Sequence, residues 1–427
     1  MDFASTWTKR RLVWGLCAVL ALHGIPAGRA TAQAETARPE IGKPLESAQA
    51  LLKAQKPHEA MAKIKLAERV LDPNPYERYI IQRVRIQAAL ALGDADTAAK
   101  AYEDAAASDR MSAGERRAIE QALAGAYYRA RQYGKAAEWA QRYAANGGPD
   151  RRMRTLLMQA YYQDGAYAQA ANVAEEEIAA ARKAGRAPEE AHLQLLAHAS
   201  LKRNDRGAGL RAMEALLTYY PTPEHWDGML RQTQARTDLS DRLLLDFYRL
   251  KLAVNVNTRA ADYMEAAQLA LRDGSPHEAL AIVERGYERG LLGQGAEAER
   301  HSRLRSMVAQ SAAESDKMLD AAIAKARETK DGDAMLDLGL DVLAGGRFDD
   351  GLRLMEEGVR TGRVKAPREA QLRLGIAYLR AGRIDQAVKT FGAVDGEDAT
   401  AAVARLWRIY ATHGGKAGTT GLARARE

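Results

Sequence analysis

The chain has 427 residues and a formal charge of +7, with 63 Lys and Arg residues against 56 Asp and Glu residues. Helix-forming residues dominate the composition and strand-forming runs are scarce, which argues against a sheet-based fold. Acidic and basic residues are interleaved throughout, which argues against a nucleic-acid-binding protein. We therefore expect an all-α protein, long enough for several domains or for one extended array.

The first 32 residues have the pattern of an export signal peptide. Basic residues 9–11 precede an apolar run from Leu12 to Leu22, and small residues before and at Ala32 form a cleavage site. The apolar run is too short to span about 30 Å of hydrocarbon, so we expect cleavage after Ala32, no membrane span in the mature chain, and a periplasmic location. A second possible cleavage site follows Ala34. The single cysteine, Cys17, lies in the signal, so the mature protein cannot use disulfides.

A small residue lies five positions after the turn glycine of residues 372–391, and an equivalent small residue recurs along the mature chain. Its positions are Ala60, Ala98, Ala136, Ala170, Gly209, Ala279, Gly351 and Ala387. Most intervals are 34 to 39 residues, and the two long ones, 70 and 72 residues, are close to twice that length. The long intervals predict degenerate units centred near Leu244 and Ser315. A period of this length indicates stacked two-helix units, about ten in all.

The last unit, residues 372–391, shows how such a hairpin packs. Leu374 and Tyr378 are four residues apart and share one helix face. Gly375, on the same helix, lets a second helix approach closely, and Phe391 of that second helix fills the adjacent space. Gly382 is expected to end the first helix in the left-handed conformation. An isolated hairpin leaves an apolar side exposed, so each unit must stack on the next.

This pattern resembles the tetratricopeptide repeat (TPR) over nearly the whole mature chain. The positions typical of the family are filled in the last unit by Leu374, Gly375, Tyr378, Gly382, Ala387 and Phe391. The resemblance implies an all-α, right-handed superhelical α-solenoid of about ten TPR-like helical hairpins. The second half of the chain is also similar to uncharacterised exported TPR proteins of Proteobacteria, which implies a compartment but no activity.

The repeat pattern changes near Pro221 and Pro223, which should stop one helix before the next begins. We predict an N-terminal half-array at 33–220 and a C-terminal half-array at 221–410. The repeat phase continues across the junction, which favours a continuous solenoid with a local bend over a flexible hinge. Residues 411–427 are rich in glycine and basic residues and lack apolar periodicity, so we predict a disordered basic tail.

The sequence contains no convincing catalytic, metal or cofactor motif. The histidines of the mature chain are scattered, and no two have the i, i+4 spacing that would place them on one metal ion. In an open solenoid, residues distant in sequence should stay distant in space, so no nucleophile, base and orienting acid can be brought together. We expect a protein that is not an enzyme and needs neither a metal nor a cofactor.

The remaining candidate is the concave face, which the first helix of each unit should line. The groove candidates are Arg83, Gln87, Gln121, Tyr128, Thr155, Gln159, Tyr162, Gln194 and His198. Amides can satisfy the backbone of an extended peptide, and tyrosines bury area with little loss of side-chain entropy. The alternative is that these are ordinary polar residues of an exposed helix face. The chaperone-tail subclass of the family has Lys and Asn at such positions, so capture of a carboxyl terminus is not expected.

We therefore predict a periplasmic TPR scaffold or adaptor that binds a protein or peptide partner in its concave groove. The alternative is a component of an envelope polysaccharide export or secretion machinery. The sequence leaves the identity of the partner and the oligomeric state open.

Overall fold

The computed structural model describes residues 36–236, 238–256, 258–361 and 363–417. These residues form twenty α-helices, one short 3₁₀ turn at Gly295–Glu297 and no strand. The predicted signal peptide lies outside them. Contacts group the chain into two compact units, one ending at Ser112 and the other beginning at Ala113. The predicted half-array boundary at 220/221 lies inside the second unit.

The first unit contains two helical hairpins. Its helices are α1 (Pro39–Lys53), α2 (Pro57–Glu68), α3 (Pro75–Leu92) and α4 (Ala95–Ala106). A proline begins α1, α2 and α3, where its missing N–H would have no helical partner in any case. Ile41, Ile64 and Ile81 pack in the core between these three helices. Arg38, just before α1, donates from Nε to Oε1 of Glu77 on α3 at 2.9 Å.

The second unit contains sixteen helices, several of which are capped by a side chain at the N-terminus. They are α5 (Ala113–Arg129), α6 (Tyr133–Ala145), α7 (Arg151–Gln163), α8 (Tyr167–Lys183), α9 (Glu190–Lys202), α10 (Arg206–Tyr219), α11 (Pro223–Gln234), α12 (Asp241–Val254), α13 (Ala260–Arg272), α14 (Pro276–Glu288), α15 (Ala298–Thr329), α16 (Gly332–Ala344), α17 (Phe348–Arg360), α18 (Pro367–Arg380), α19 (Ile384–Gly392) and α20 (Ala399–Ala417). The capping residues include Asp150, Asp205, Thr222, Ser240 and Asp331.

The predicted helical hairpins are confirmed at all eight marker residues. The pairs are α1–α2, α3–α4, α5–α6, α7–α8, α9–α10, α13–α14, α16–α17 and α18–α19. Each marker lies near the start of the second helix and is buried, and the six alanines are 0% exposed. Larger side chains at these positions would hold the two helices apart. The all-α fold of stacked helical hairpins is therefore confirmed.

Each of the eight hairpins turns at one left-handed residue, five positions before its marker. These residues are Gln55, Gly93, Arg131, Gly165, Asn204, Gly274, Gly346 and Gly382, with φ between 58° and 90°. The N–H of the next residue donates to a carbonyl five residues earlier, as Arg383 does to Tyr378 at 2.8 Å. This is the Schellman arrangement that satisfies the last carbonyls of a helix. Three of these turns use a residue other than glycine, which explains why glycine alone does not mark every unit.

The last hairpin packs as its sequence predicts. A Cβ at Gly375 would lie 2.5 Å from the Phe391 ring, so only glycine fits there. Leu374 also contacts the preceding hairpin, α16–α17. In addition, the Phe391 ring stacks on Trp407 of α20 at a centroid distance of 6.0 Å. The hairpin therefore has a third neighbour that the repeat pattern did not predict.

The two degenerate units differ from the prediction. Around Ser315 there is no hairpin, because α15 is one continuous helix of 32 residues. The segment Ser311 to Ser315 contains neither glycine nor proline, so nothing ends the helix there. Around Leu244, α11 and α12 are separate helices, but α12 packs chiefly on α13 and α20 and only slightly on α11. The prediction of a two-helix unit near Ser315 was therefore wrong.

Helix α20 closes the C-terminal part of the second unit back onto earlier helices. It packs on α10, α12, α18 and α19. Nε of Arg405 donates to Oε1 of Glu214 at 3.0 Å, and the Trp407 indole donates to the carbonyl of Asp246 at 3.1 Å. One hydrophobic core joins buried residues of 217–308 to buried residues of 372–411. The expectation that sequence-distant residues stay apart is therefore wrong for this part of the chain.

Residues 411–417, which the sequence assigned to a disordered tail, are helical. Helix α20 continues to Ala417, and Ala411 is 1% exposed because it belongs to the core. Residues 418–427 lie outside the described residues. Among the helices that the structure describes, none is long and apolar enough to cross a membrane.

The contact between Gly375 and Phe391 can be tested by substitution. Gly375→Ala should lower the free energy of unfolding, because overpacking costs about 1–3 kcal/mol and alanine regains only about 1 kcal/mol in helix propensity. Urea denaturation measures the change. In a Phe391→Leu background, which removes the ring, the same substitution should no longer destabilise.

Gly114→Ala is the matched control, because a Cβ there would meet nothing within 4 Å. It should be neutral or slightly stabilising. Equal destabilisation at Gly114 and Gly375 would show that the close approach is unimportant.

Candidate functional site

The predicted groove residues all lie on first helices of hairpins and are all half-buried. Arg83 and Gln87 lie on α3 of the first unit. The other seven lie in the second unit, on α5 (Gln121, Tyr128), α7 (Thr155, Gln159, Tyr162) and α9 (Gln194, His198). These three helices contact one another in chain order. The seven residues of the second unit are called the α5–α9 face below.

Three residues of the α5–α9 face bond to the next helix but one along the chain, or to its N-cap. The pairs are Gln121 with Asp150 at 3.0 Å, Thr155 with His192 at 3.2 Å and Gln194 with His225 at 3.3 Å. Each pair joins the first helix of one unit to the first helix, or its N-cap, of the next. These polar side chains therefore help to hold the units in register, and a partner would have to compete for them.

The two tyrosines of the face each form the same aromatic pair. Tyr128 contacts Tyr133 edge to face, with a centroid distance of 5.3 Å and an interplanar angle of 67°. Tyr162 contacts Tyr167 in the same way, at 5.3 Å and 66°. The first ring of each pair lies near the end of a first helix and the second ring begins the second helix. The structure therefore repeats one half-buried aromatic pair at the turns of two consecutive hairpins. Burial, followed by the neighbouring tyrosine, raises the pKa of Tyr128 and of Tyr162.

The amide of Gln159 has bonding capacity left for a partner. It is half-buried, and it makes no hydrogen bond to the described residues. The equivalent position one unit earlier is Gly125, where a Cβ would meet only the guanidinium of Arg129. Gln87 on α3 is similarly unbonded within the described residues, whereas Arg83 interacts inside the protein. Burial, followed by the charge of Lys202, lowers the pKa of His198, so its imidazole is neutral at neutral pH.

The C-terminal part of the second unit contains a group of charges that the sequence did not predict. It joins four arginines and four carboxylates from α12, the end of α13, α14, α16 and α18. The residues are Arg242, Asp246, Arg249, Asp273, Glu278, Asp337, Arg373 and Arg380. We call this group the buried charge cluster. The numbers of positive and negative groups match, as buried charges require.

Arg249 and Glu278 lie at the centre of the cluster, with side chains 1% and 2% exposed. Nε of Arg249 donates to Oε1 of Glu278 at 3.0 Å, and its other nitrogens contact Glu278 and Asp246. Arg380 approaches Glu278 from α18. Burial acts to raise the pKa of Glu278, but the charges of Arg249 and Arg380 outweigh it and lower this pKa to about 2.

The second half of the cluster surrounds Arg373. Its Nε lies 3.3 Å from Oδ2 of Asp246, and its Nη1 donates to Oδ1 of Asp337 at 3.2 Å. Arg242 donates from Nε to Oδ1 of Asp273 at 3.0 Å and also contacts Asp337. Burial raises the pKa of Asp337 to about 6, against the opposing charges of Arg242 and Arg373.

His277 forms a bridge beside the cluster. Its backbone N–H donates to Oδ1 of Asp341 at 2.8 Å, Nδ1 lies 2.7 Å from Oδ2 of the same residue, and Nε2 lies 3.1 Å from Asp316 on α15. Burial acts to lower the pKa of His277, but the hydrogen bond and charge of Asp341, with the charge of Asp316, give a net rise. The bridge therefore links α14, α15 and α16.

A cleft of about 780 Å³ lies between α15, α16 and α17. Its charged lining is largely paired within the protein. Nε of Arg327 lies 2.9 Å from Glu357, and Arg353 lies 2.5 Å from Asp350. In the part of the chain that the structure describes, no three His, Cys, Asp or Glu side chains are grouped to hold a metal ion.

Comparison with known proteins shows similarity only at a distant level. No family model matches the chain, and no curated protein matches it. A structure of Naa15/Naa10 bound to HypK-THB is 14% identical with a TM-score of 0.31, and the match covers 84% of this chain and 59% of that chain. Yeast Tom70 is 11% identical with a TM-score of 0.22, and the match covers 90% of this chain and 98% of that chain. The TPR domain of P58(IPK) is 13% identical with a TM-score of 0.20, and the match covers 87% of this chain and 97% of that chain. Similarities of this size assign neither a family nor a function.

Removing one member of the buried charge cluster should destabilise the protein far more than removing one member of a surface ion pair. Arg249→Met should lower the free energy of unfolding by about 3–5 kcal/mol, because it leaves buried carboxylates unpaired. Arg303→Met removes an exposed partner of Glu299 and should cost under about 1 kcal/mol. Urea denaturation of both variants measures the two losses of unfolding free energy. A similarly small loss for both variants would contradict the prediction.

The low pKa of Glu278 predicts a specific acid response. A carboxylate with a folded pKa of about 2 against an ordinary value of 4.5 stabilises the protein above pH 4.5, and this contribution is lost as the pH falls toward 2. The difference in melting temperature between wild type and Glu278→Gln should therefore be largest at neutral pH and shrink below pH 4.5.

Wild type and Glu278→Gln both retain Asp337, so the difference between their melting temperatures reports on Glu278 alone. The raised pKa of Asp337, about 6, acts in the opposite direction, since its contribution is lost as the pH rises through that value. A difference between the two proteins that stays constant from pH 7 to pH 3 would refute the role of Glu278.

Proposed function

We propose that this protein is a periplasmic scaffold or adaptor that binds a protein or peptide partner along the α5–α9 face. The observation that supports the proposal most directly is on α7, where Gln159 forms no hydrogen bond with the described residues and Tyr162 belongs to a repeated aromatic pair. A stacked-hairpin fold leaves such a face continuous from one unit to the next.

The chemistry of the face suits an extended chain. The amide of Gln159 can donate to a backbone carbonyl and accept from a backbone N–H at once. Tyr128 and Tyr162 offer aromatic area whose position is already limited by the neighbouring rings, so binding costs little side-chain entropy. Tyr162 follows Gln159 by three residues on α7, so both lie on one face of that helix.

The location rests on the N-terminal sequence. The basic, apolar and small-residue segments up to Ala32 have the order of a secretory signal. A mature chain without cysteine depends on packing and ion pairs alone, and the buried charge cluster supplies ion pairs in quantity.

A component of envelope polysaccharide export or secretion is the second candidate. It is favoured by one observation, the edge-to-face tyrosine pairs at two consecutive turns. Aromatic faces of this kind can also serve as platforms for sugar rings. The two candidates predict different ligands for the same tyrosines.

The proposal is tested by crosslinked capture from periplasmic extract with the full chain as bait. Wild type should retain a partner. The double variant Gln159→Ala with Tyr162→Ala should recover at least about tenfold less of that partner, since both the amide and the ring contribute to binding. Mass spectrometry of the recovered bait should show a chain that begins at Gln33. Retention of polysaccharide in place of protein would favour the second candidate.

The matched control is Asn172→Ala with Glu175→Ala, two exposed residues on the second helix of the same hairpin. It should capture the same partner as wild type. Identical partner lists for all three baits would remove the α5–α9 face from the proposal, and a bait that retains residues 1–32 would remove the assigned location.

A further inference from the structure

Arg285, in the last turn of α14, is a half-buried arginine that has no counter-ion among the described residues. It forms no ion pair or hydrogen bond with the residues that the structure describes. The buried arginines nearby are all paired, Arg249 with Glu278 and Asp246, and Arg380 with Glu278. A guanidinium stays charged at every physiological pH, so an unpaired one in this environment calls for a partner.

The internal repeat shows that this charge is a departure from the pattern. Residues 279–292 align with residues 351–364 at a shift of 72, so Arg285 corresponds to Glu357. Glu357 is paired, because Nε of Arg327 lies 2.9 Å from its Oε2. The same place in the hairpin therefore carries a paired acid in one unit and an unpaired base in the other.

Tyr263 on α13 supplies a second polar group without a partner. Its side chain is 0% exposed, and its hydroxyl is buried and forms no hydrogen bond in the described chain. Its ring lies against α14, since a Cβ at Gly286, next to Arg285, would be 3.2 Å from Cδ1 of Tyr263. Buried hydroxyls in folded proteins nearly always have a partner, so this one also lacks an acceptor.

Two other arginines act on Arg285. Burial lowers the pKa of Arg285, and the charge of Arg289 adds to the effect, with a further contribution from Arg380. Tyr263 and Tyr410 act in the opposite direction and raise this pKa, each more strongly than Arg380 lowers it. The C-terminal end of α14 offers only about half a negative charge, and Arg289 shares it. An anion with more than one acceptor oxygen could bond to both Arg285 and the hydroxyl of Tyr263.

We propose that Arg285 and the hydroxyl of Tyr263 bind an oxyanion, a carboxylate or a phosphate, between α13 and α14. The planar guanidinium fork matches both groups in geometry, and the charge of Arg289 strengthens the attraction. The site is separate from the α5–α9 face, so it can fail or succeed independently of the proposed function. The ligand is either a free anion or an acidic group of a larger partner.

The test is a titration of the mature full chain with inorganic phosphate, at constant ionic strength maintained with sodium chloride. Wild type should show a saturable rise in melting temperature and measurable heat of binding. Arg285→Met should weaken binding at least about tenfold, and in the absence of phosphate it should melt at the same temperature as wild type or higher, because an unpaired charge has been removed. Tyr263→Phe, which keeps the ring, should weaken binding about tenfold.

Arg303→Met, an exposed arginine on α15, should bind phosphate as wild type does. A parallel titration with acetate separates a carboxylate site from a phosphate site, and a response to either supports the proposal. The proposal is overturned if wild type responds to neither anion, or if Arg285→Met responds as wild type does.

Discussion

Each hairpin depends on the close approach of its two helices, and a pair of residues makes this approach possible. A left-handed residue ends the first helix, and five positions later a small buried residue admits the second helix. At Gln55, Arg131 and Asn204 the left-handed residue is not glycine. The strain there, about 1–2 kcal/mol per residue, is offset by the stacking of neighbouring hairpins. The spacing of the chain into units follows from this geometry.

A second constraint acts in the C-terminal part of the second unit, where the array closes on itself. Here α12, α14, α16 and α18 surround a group of charges of which Asp246, Arg249, Glu278 and Arg373 have side chains no more than 3% exposed. Taking such charges out of water costs several kcal/mol per ion, so they are tolerated only in matched, hydrogen-bonded arrangements. Arg249 and Arg373 each form ion pairs with carboxylates on other helices. The need to keep every buried charge paired therefore restricts how these helices can pack against one another.

The α5–α9 face combines two kinds of residue that look alike in the sequence. Gln121, Thr155 and Gln194 bond to the next unit, so much of their polarity serves the stack itself. Gln159 keeps an unbonded amide, and the tyrosines keep part of their rings at the surface. A partner would therefore find its specific contacts on α7 and at the turns, with a framework of internally bonded residues around them.

The TPR-like period, the eight hairpins and the close packing of Gly375 on Phe391 could be predicted from the sequence, because each depends on residues within one unit or the next. The continuous helix α15 could have been predicted too, since residues 311–315 contain no helix-breaking residue. The pairing of Gln121 with Asp150 and of Thr155 with His192 was not predicted, because it depends on how far one hairpin is rotated against the next.

The buried charge cluster and the unpaired Arg285 were decided by the tertiary structure alone. Arg373 and Asp246 are 127 residues apart in the chain, and contacts between distant helices, such as those of α20 with α12 and α18, bring them together. Local spacing determines which segments become helices and which small residues let them touch. Burial and charge pairing depend on contacts between distant segments, and no periodic pattern in a single sequence contains those contacts.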